Sequence, residues 1–177
     1  VSDFGVLNSK LQRVVFAIPR IQDILTSLNG FTYATSIDLN MGYYTIRLTS
    51  QAQKLCTIVF PWGEDSYLRL HMGVANSPDI FQSKISQLMR GLDFVRAYLD
   101  DALVATKGPY QEHLLNLEQV LIKLDTANLR INIEKCTFAT QEFEYLGYLV
   151  TTAGIRPLPS KVEAILQLKA PKTLKQP

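Results

Sequence analysis

Three aspartates carry the chemistry that this sequence makes available. Asp100 and Asp101 are adjacent and lie between two apolar runs, Ala97-Tyr98-Leu99 and Ala102-Leu103-Val104-Ala105. Adjacent like charges repel, and apolar flanks limit the water that could screen them. A hard divalent cation, which takes carboxylate oxygens as ligands, would relieve that repulsion. Aspartate is also a common turn residue, because its side chain bonds the local backbone, and the dipeptide alone fits that plainer account. Asp38 adds a third acid at the end of the run Thr35-Ser36-Ile37-Asp38-Leu39. If that run pairs beside the Asp100-Asp101 segment, three carboxylates converge at one end of a sheet. Oxygen donors without histidine or thiolate suit Mg²⁺ or Mn²⁺ better than zinc. Two such ions would activate an attacking oxygen and stabilise a leaving phosphate oxygen. The chemistry indicated is metal-assisted phosphoryl or nucleotidyl transfer.

To bring those acids together the chain must build strands around them. Residues 31–39 and 43–48 are rich in β-branched and aromatic side chains and are predicted as strands, broken by Asn40-Met41-Gly42. Residues 94–99 and 102–106 are predicted as a tight hairpin with Asp100-Asp101 at its turn. A second hairpin is expected over 55–60 and 67–70, with residues 61–65 as its loop. Further short strands are expected near 129–133 and over 143–150.

Helices must back these strands. One is predicted over 19–28, with Pro19 in its first turn and Asn29-Gly30 at its end. A second opens at Ser77-Pro78, with Ser77 as cap, and runs to about Arg90, with Ile80, Phe81, Ile85, Leu88 and Met89 on one face. A third covers 110–127, with Leu114, Leu117, Leu121 and Leu124 at helical spacing. A last one starts near Ser160 and carries Val162, Ile165 and Leu166. Hairpins outnumber strand–helix alternations. The expected class is α+β, an antiparallel sheet with helices packed on one face, rather than a doubly wound parallel sheet.

Composition narrows the field. The 177 residues are 47% hydrophobic, enough for one globular unit. Lys and Arg number 18 against 16 Asp and Glu, a net charge of +2, which excludes a tail that binds nucleic acid by charge alone but not a local basic groove. No apolar run approaches the roughly 18 residues of a membrane span, so a soluble chain is expected. Cys56 and Cys136 are too few for a disulfide framework or a cysteine zinc site, and read as small buried hydrophobes in a reducing compartment. Val1 follows no Met, and residues 170–177 have the Pro-bounded polar character of a linker, so a piece of a longer polyprotein is expected. His71 and His113, the second expected on a polar helix face, offer no metal or triad geometry.

Several segments together resemble a known family. Tyr98-Leu99-Asp100-Asp101 is similar to the Tyr-x-Asp-Asp box of reverse transcriptases. Phe16-Ala17-Ile18-Pro19-Arg20-Ile21 resembles the entry segment of gypsy-type retrotransposon polymerases, and Ser36 to Leu48 resembles their first-aspartate motif. Met72-Gly73-Val74-Ala75-Asn76-Ser77-Pro78 through Gln82 resembles the substrate loop and the helix after it. Ile133-Glu134-Lys135-Cys136, Glu144-Tyr145-Leu146-Gly147-Tyr148 and Gly154-Ile155-Arg156-Pro157 resemble the motifs that follow in order. The resemblance covers nearly the whole chain.

It implies a right-hand polymerase: the palm with part of the fingers. Residues 1–35 and 49–90 would form the fingers–palm transition, 36–48 and 91–150 the palm, and 151–177 the start of the thumb or connection. It implies Asp38, Asp100 and Asp101 as catalytic acids that hold two Mg²⁺ ions, or Mn²⁺, with the backbone carbonyl of Leu39. It implies Tyr43 as a ring that leaves no room for a ribose 2′-hydroxyl, the alternative being a strand aromatic beside Tyr44. Met72 and Gly73 match the loop at the nascent base pair, and Lys135 a basic residue near the nucleotide. Tyr98 would sit near the primer terminus, with Tyr145, Leu146 and Gly147 as the grip that holds it. Arg47 fits a strand end or a nucleic-acid contact, and Trp62 a hairpin tip.

The implied partners are an RNA or DNA template with its primer, deoxynucleotides, and the rest of a polyprotein: upstream fingers, thumb, RNase H, protease and integrase. The implied location is intracellular, a cytoplasmic particle with nuclear access. Three features depart from the family pattern: Gly5 where an Arg is usual, His71 in place of proline, and Met72 where Phe or Gln is common. Two rivals stand beside a reverse transcriptase. A nucleotidyl cyclase on a similar palm would carry a glycine-rich acidic turn, which Tyr98-Leu99-Asp100-Asp101 is not. A decayed fragment that only folds and binds nucleic acid would lack one of the three acids.

Overall fold

The computed structural model describes residues 2–166; the linker-like stretch 170–177 lies outside them. In chain order the helices are α1 (Gly5–Lys10), α2 (Ile21–Ser27), α3 (Ser50–Leu55), α4 (Ser77–Leu88), α5 (Tyr110–Thr126) and α6 (Pro159–Leu166). The strands are β1 (Tyr33–Asn40), β2 (Thr57–Phe60), β3 (Gly63–Ser66), β4 (Val95–Tyr98), β5 (Asp101–Thr106), β6 (Arg130–Ile131), β7 (Thr137–Thr140), β8 (Glu142–Tyr145), β9 (Tyr148–Thr151) and β10 (Gly154–Pro157). Short 3₁₀ turns cover Gly42–Thr45 and Ile133–Lys135.

β1 is the centre of the main sheet. One edge pairs with β5 along six residues, from Tyr33↔Thr106 to Asp38↔Asp101, and β4 adds outside β5. The other edge is shared: β7 takes Ala34 and Ser36, β6 takes Leu39 and Asn40. All these pairings are antiparallel, as the hairpin-rich sequence implies.

Alternation along β1 and β5 divides their side chains between two faces. On one face Ile37, Ala102 and Val104 pack under Phe81 and Ile85 of α4 and Leu117, Val120 and Leu124 of α5. On the other, Ala34 and Leu103 meet Ile24, Leu25 and Leu28 from the α2 region and Phe143, Tyr145 and Val150 of the small sheet β8–β9–β10. The two long helices therefore lie on one face as expected, and α2 with the second sheet covers the other. Each fully buried aliphatic side chain in these layers contributes about 1.5–3 kcal/mol relative to exposure.

The structure corrects several local expectations. Residues 43–48 are not a strand: a 3₁₀ turn occupies Gly42–Thr45, and the rest makes only the bridge Arg47↔Arg69. Met41, in the left-handed region at φ 52°, turns the chain out of β1 before any strand can continue. The second hairpin is shorter and earlier than expected, with Phe60 paired to Gly63 across Pro61-Trp62 and residues 67–70 outside it. Residues 143–150 are not one strand but the hairpin β8–β9, closed by Leu146 and Gly147 at φ 48° and 82°. Helix α2 starts at Ile21, after Pro19. Ser77 is not the cap of α4: Asn76 holds that position, and the Ser77 hydroxyl donates to the His71 carbonyl at 2.7 Å.

His113 does not lie on a polar helix face. It is fully buried, and its ring links two strands. The Thr35 hydroxyl lies 2.8 Å from Nε2 and the Thr106 hydroxyl 2.9 Å from Nδ1. Thr35 Oγ1 also accepts from Ala139 N–H at 3.0 Å, which leaves its own proton for Nε2. The neutral ring protonated on Nδ1 satisfies this chain of bonds. Burial pushes the His113 pKa below its ordinary value. A histidine depressed in this way contributes stability that is complete above about pH 6.5, the unfolded value, and is lost as pH falls toward the folded value. Melting of wild type and His113→Leu at pH 7.5 and 5.5 tests this. The wild type should lose its advantage over the variant at the lower pH; a constant difference would refute the assignment.

Candidate active site

The register of the sheet brings the three acids together. Asp38 and Asp101 face each other across β1 and β5, and Asp100 occupies the two-residue turn that joins β4 to β5. The expected turn at Asp100-Asp101 is displaced by one residue, to Leu99-Asp100, so Asp101 is the first residue of its strand. That shift gives Asp100 and Asp101 different backbone roles, one on a turn and one on a ladder.

The turn is strained and held from two sides. Leu99 sits at φ 51°, which costs a non-glycine residue about 1 kcal/mol or more. Its N–H donates to Oε1 of Gln82 at 2.6 Å. Gln82 Nε2 in turn donates to the carbonyl of Ala97 at 2.9 Å and to the Ser86 hydroxyl at 3.1 Å. On the β1 side, Leu39 N–H donates to the Asp100 carbonyl at 2.8 Å. Gln82 is fully buried on α4, and its role was not read from the sequence. A polar residue among Phe81 and Ile85 was the only signal.

The acids perturb one another. Burial, then the charges of Asp101 and Asp38, push the Asp100 pKa up to about 6. Burial and Asp38 raise Asp101, and Lys135 offsets part of this. Asp100 Oδ1 is buried without a hydrogen-bond partner. Among the described residues no three His, Cys, Asp or Glu side chains form a ready metal cage. The donor set nonetheless fits a hard divalent cation: carboxylate oxygens that repel one another, one of them buried and unpaired.

Most of the other expected site residues gather here. Tyr43 is buried, and its ring stacks on Phe81 with centroids 4.9 Å apart. Its hydroxyl pKa is raised by burial and then by Asp100, which puts the phenol beside that acid. A strand position for Tyr43 is thus replaced by a 3₁₀ turn that folds it back over α4. Gly42 is a second residue the sequence did not reveal. A Cβ there would come 2.5 Å from the Phe81 ring and 3.1 Å from Asp100 Oδ1. Tyr145 is buried with an unpaired hydroxyl, and its pKa is raised by burial, then by Asp101 and Tyr98. Leu146 and Gly147 form the turn after it. Tyr98 pairs with Asp101, and Lys135 lies close enough to Asp101 to lower its pKa.

Met72 and Gly73 stand apart from this group. Gly73, at φ 104°, accepts a hydrogen bond on its carbonyl from Asn8 Nδ2 at 2.8 Å, and a Cβ would meet the Ser2 carbonyl at 3.3 Å. Its contacts are thus with the N-terminal segment, while Met72 is exposed. His71, just before them, is buried; its ring stacks on Tyr67 with centroids 3.8 Å apart and meets Phe4 at a tilt, 4.6 Å apart.

Residues 2–150 match the family model described as reverse transcriptase (RNA-dependent DNA polymerase). The chain belongs to this family. Among curated relatives of this reverse transcriptase domain is the retrovirus-related Pol polyprotein from transposon opus of Drosophila melanogaster, 35% identical over 99% of this chain and 18% of that polyprotein. The Pol polyprotein from transposon 297 of the same fly is 33% identical over 97% of the chain and 16% of the polyprotein. The Tf2-3 polyprotein of Schizosaccharomyces pombe is 30% identical over 99% of the chain and 13% of the polyprotein. The chain therefore spans less than a fifth of these relatives. Among solved structures, the foamy viral protease-reverse transcriptase in complex with dsDNA superposes with a TM-score of 0.91 at 26% identity, over 99% of this chain and 37% of that one. The same protein in complex with an RNA/DNA hybrid gives 0.89 at 26% identity, over 99% of this chain and 24% of that one. The reverse transcriptase domain is α+β, and among its described residues no helix is long and apolar enough to cross a membrane.

Proposed function

We propose that this chain is the palm and part of the fingers of a gypsy-type retrotransposon RNA-directed DNA polymerase, with the division into segments given above. It joins deoxynucleotides to a primer 3′-hydroxyl on an RNA or DNA template. The observation that carries this reading is the convergence of Asp38, Asp100 and Asp101 at one sheet end in a reverse transcriptase domain. All three acids are present, which disfavours the decayed-fragment alternative.

Asp38, Asp100 and Asp101, with the Leu39 carbonyl, would hold two Mg²⁺ ions, or Mn²⁺ in their place. Bound ions of this kind activate an attacking hydroxyl and offset charge on a leaving phosphate oxygen. The chain's own residues position the reactants. Tyr98 and the hairpin turn Tyr145-Leu146-Gly147 hold the primer terminus toward the acids. Tyr43 closes the space under the sugar, and Met72 and Gly73 face the nascent base pair. Lys135, beside Asp101, stabilises or protonates departing pyrophosphate. The remaining parts are supplied by the rest of the polyprotein: upstream fingers, thumb, RNase H, protease and integrase. The reaction takes place inside the cell, in a cytoplasmic particle with access to the nucleus.

Primer extension on an RNA template, with Mg²⁺ and then Mn²⁺, tests the reading. Deoxynucleotide incorporation by the folded chain that vanishes in the triple variant Asp38→Asn, Asp100→Asn, Asp101→Asn supports it. Incorporation that survives the triple change would sink it. A second measurement addresses Tyr43. Tyr43→Ala should raise ribonucleotide incorporation relative to deoxynucleotide by about 10²-fold, since a packed wall that loses its ring can admit the extra hydroxyl. Tyr43→Phe should keep the discrimination of the wild type; loss in both variants would show that the hydroxyl rather than the ring discriminates.

A further inference from the structure

We propose that the cleft between the C-terminal halves of α4 and α5 binds a small amphipathic anion, an apolar ring system or chain that carries one carboxylate or sulfonate. The proposal does not depend on the polymerase reading above. The cleft has a volume of about 570 Å³, a size that suits a small molecule. Phe81, Ile85 and Leu88 of α4, Ile122 of α5, and Ile46 and Leu129 line it. Phe81 and Ile85 are buried and form its floor, while Ile122 is exposed at its rim. Water in an apolar concavity finds few partners, so an apolar body that replaces it is favoured.

The cleft is preformed. Lys123 Nζ donates to the carbonyls of Leu88 and Arg90, each at 2.9 Å, which ties α5 to the end of α4 and sets the width between them. The Phe81 ring is held on its other side. It stacks on Tyr43 with centroids 4.9 Å apart, and it lies so near Gly42 that a Cβ there would come 2.5 Å from it. The floor is therefore fixed by packing that a ligand does not have to build.

The polar groups around the cleft select the charge of its occupant. Among the described residues no carboxylate lines it. Thr45 and Thr126 donate their hydroxyl protons to the carbonyls of Gly42 and Ile122, and Lys123 is engaged as above. Lys84 and Gln87 remain. Both are exposed, they stand three residues apart on α4, and neither side chain bonds or pairs with a described residue. Together they offer an ammonium and an amide N–H, which suits an anionic group at the rim. The adjoining hollow beyond Ile122 carries Glu118 and Asp125. Those acids repel an anion, which confines the charged end of the ligand to the α4 side.

The test titrates the full chain with two fluorescent probes of one shape, anilinonaphthalene sulfonate and the uncharged phenylnaphthylamine. The proteins are wild type, Lys84→Gln, Lys84→Arg, Ala127→Trp, Ile122→Glu and the distant control Lys54→Gln. Ala127 and Ile122 are exposed, so both changes fill or charge the cleft without cutting into the core, and melting curves establish that each variant is folded. Wild type should bind one sulfonate probe per chain. Lys84→Gln should weaken the sulfonate by about fivefold and leave phenylnaphthylamine unchanged, and Lys84→Arg should restore the sulfonate. Ala127→Trp should weaken both probes by at least about tenfold, Ile122→Glu should weaken the sulfonate more than the neutral probe, and Lys54→Gln should match wild type. Wild-type affinity in Ala127→Trp, or several equivalent probes per chain, overturns the site. An equal loss of both probes in Lys84→Gln overturns the assignment of an anion. Sedimentation supplies the remaining outcome: a wild-type dimer that Ala127→Trp converts to monomer would make the cleft an interface between copies and overturn the small-molecule site.

Discussion

Asp100→Asn is expected to reduce primer extension by on the order of 10³-fold or more, and at the same time to make the metal-free chain more stable. The loss follows from removing one of the three converging charges. The gain follows from what that charge costs the fold. Asp100 is raised to about 6 by burial and by its two acidic neighbours, and its Oδ1 has no hydrogen-bond partner. A carboxyl whose folded pKa lies above its unfolded value of 3.8 destabilises the folded state when ionised. That penalty is absent below about pH 4, grows as pH rises toward 6 and is complete above it. A rise from 3.8 to about 6 would correspond to roughly 3 kcal/mol, which solvent screening of the only partly buried carboxyl reduces to about 1 kcal/mol.

For a chain of this size the gain is about 2–4 °C in melting temperature at pH 7.5 with chelator present. It should shrink to a small fraction of this at pH 4, close to the unfolded value, where most of the penalty has gone. A variant that melts below wild type at pH 7.5, or a gain that persists at pH 4, would show that the Asp100 charge does not strain the fold. Opposite signs for activity and stability are what a built site produces and what an incidental surface turn does not.

The acids could be read in the sequence because their types are at odds with their surroundings. An Asp-Asp pair between apolar strands and an Asp at the end of a third violate the simplest pattern for buried sheet, and such violations mark sites. β1, the β4–β5 hairpin, α4 and α5 were legible for a related reason, since their apolar periodicities are long and unbroken. Residues 43–48 misled because Tyr43-Tyr44-Thr45-Ile46 has the composition of a strand. Its conformation is instead set by Met41 at positive φ and by Tyr43 stacking on Phe81, a contact distant in sequence. The short α3 carried a signal that a finer reading could use: Thr49 Oγ1 accepts from Ala52 N–H at 3.3 Å. The constraint on Gly42 could not be read at all, because only the folded chain puts Phe81 and Asp100 beside it.

Gln82 is the other residue of this kind, and Gln82→Met is the second change with a large expected effect. Methionine nearly preserves the volume and flexibility of the side chain, so the fully buried position stays filled. What is lost is hydrogen bonding. Leu99 N–H loses its 2.6 Å acceptor, and the Ala97 carbonyl and Ser86 hydroxyl lose a donor. An unsatisfied buried donor costs about 1–3 kcal/mol. It would fall on a turn already held at φ 51°. Relaxation of Leu99 out of the left-handed region would carry Asp100 with it and part it from Asp38 and Asp101. Misplacement of a reacting group by about 1 Å can cost about 10²-fold in rate. The variant should therefore lose about 10²-fold in kcat while keeping KM and primer–template affinity near wild type, with melting lowered by a few degrees. Gln82→Glu separates geometry from packing. Its carboxylate can still accept from Leu99 N–H but cannot donate to the Ala97 carbonyl, so its kcat should fall between those of wild type and Gln82→Met. A Gln82→Met variant with full kcat would mean that the Asp100 turn holds its shape without α4, and that Leu39 N–H on the Asp100 carbonyl is sufficient to place the acids.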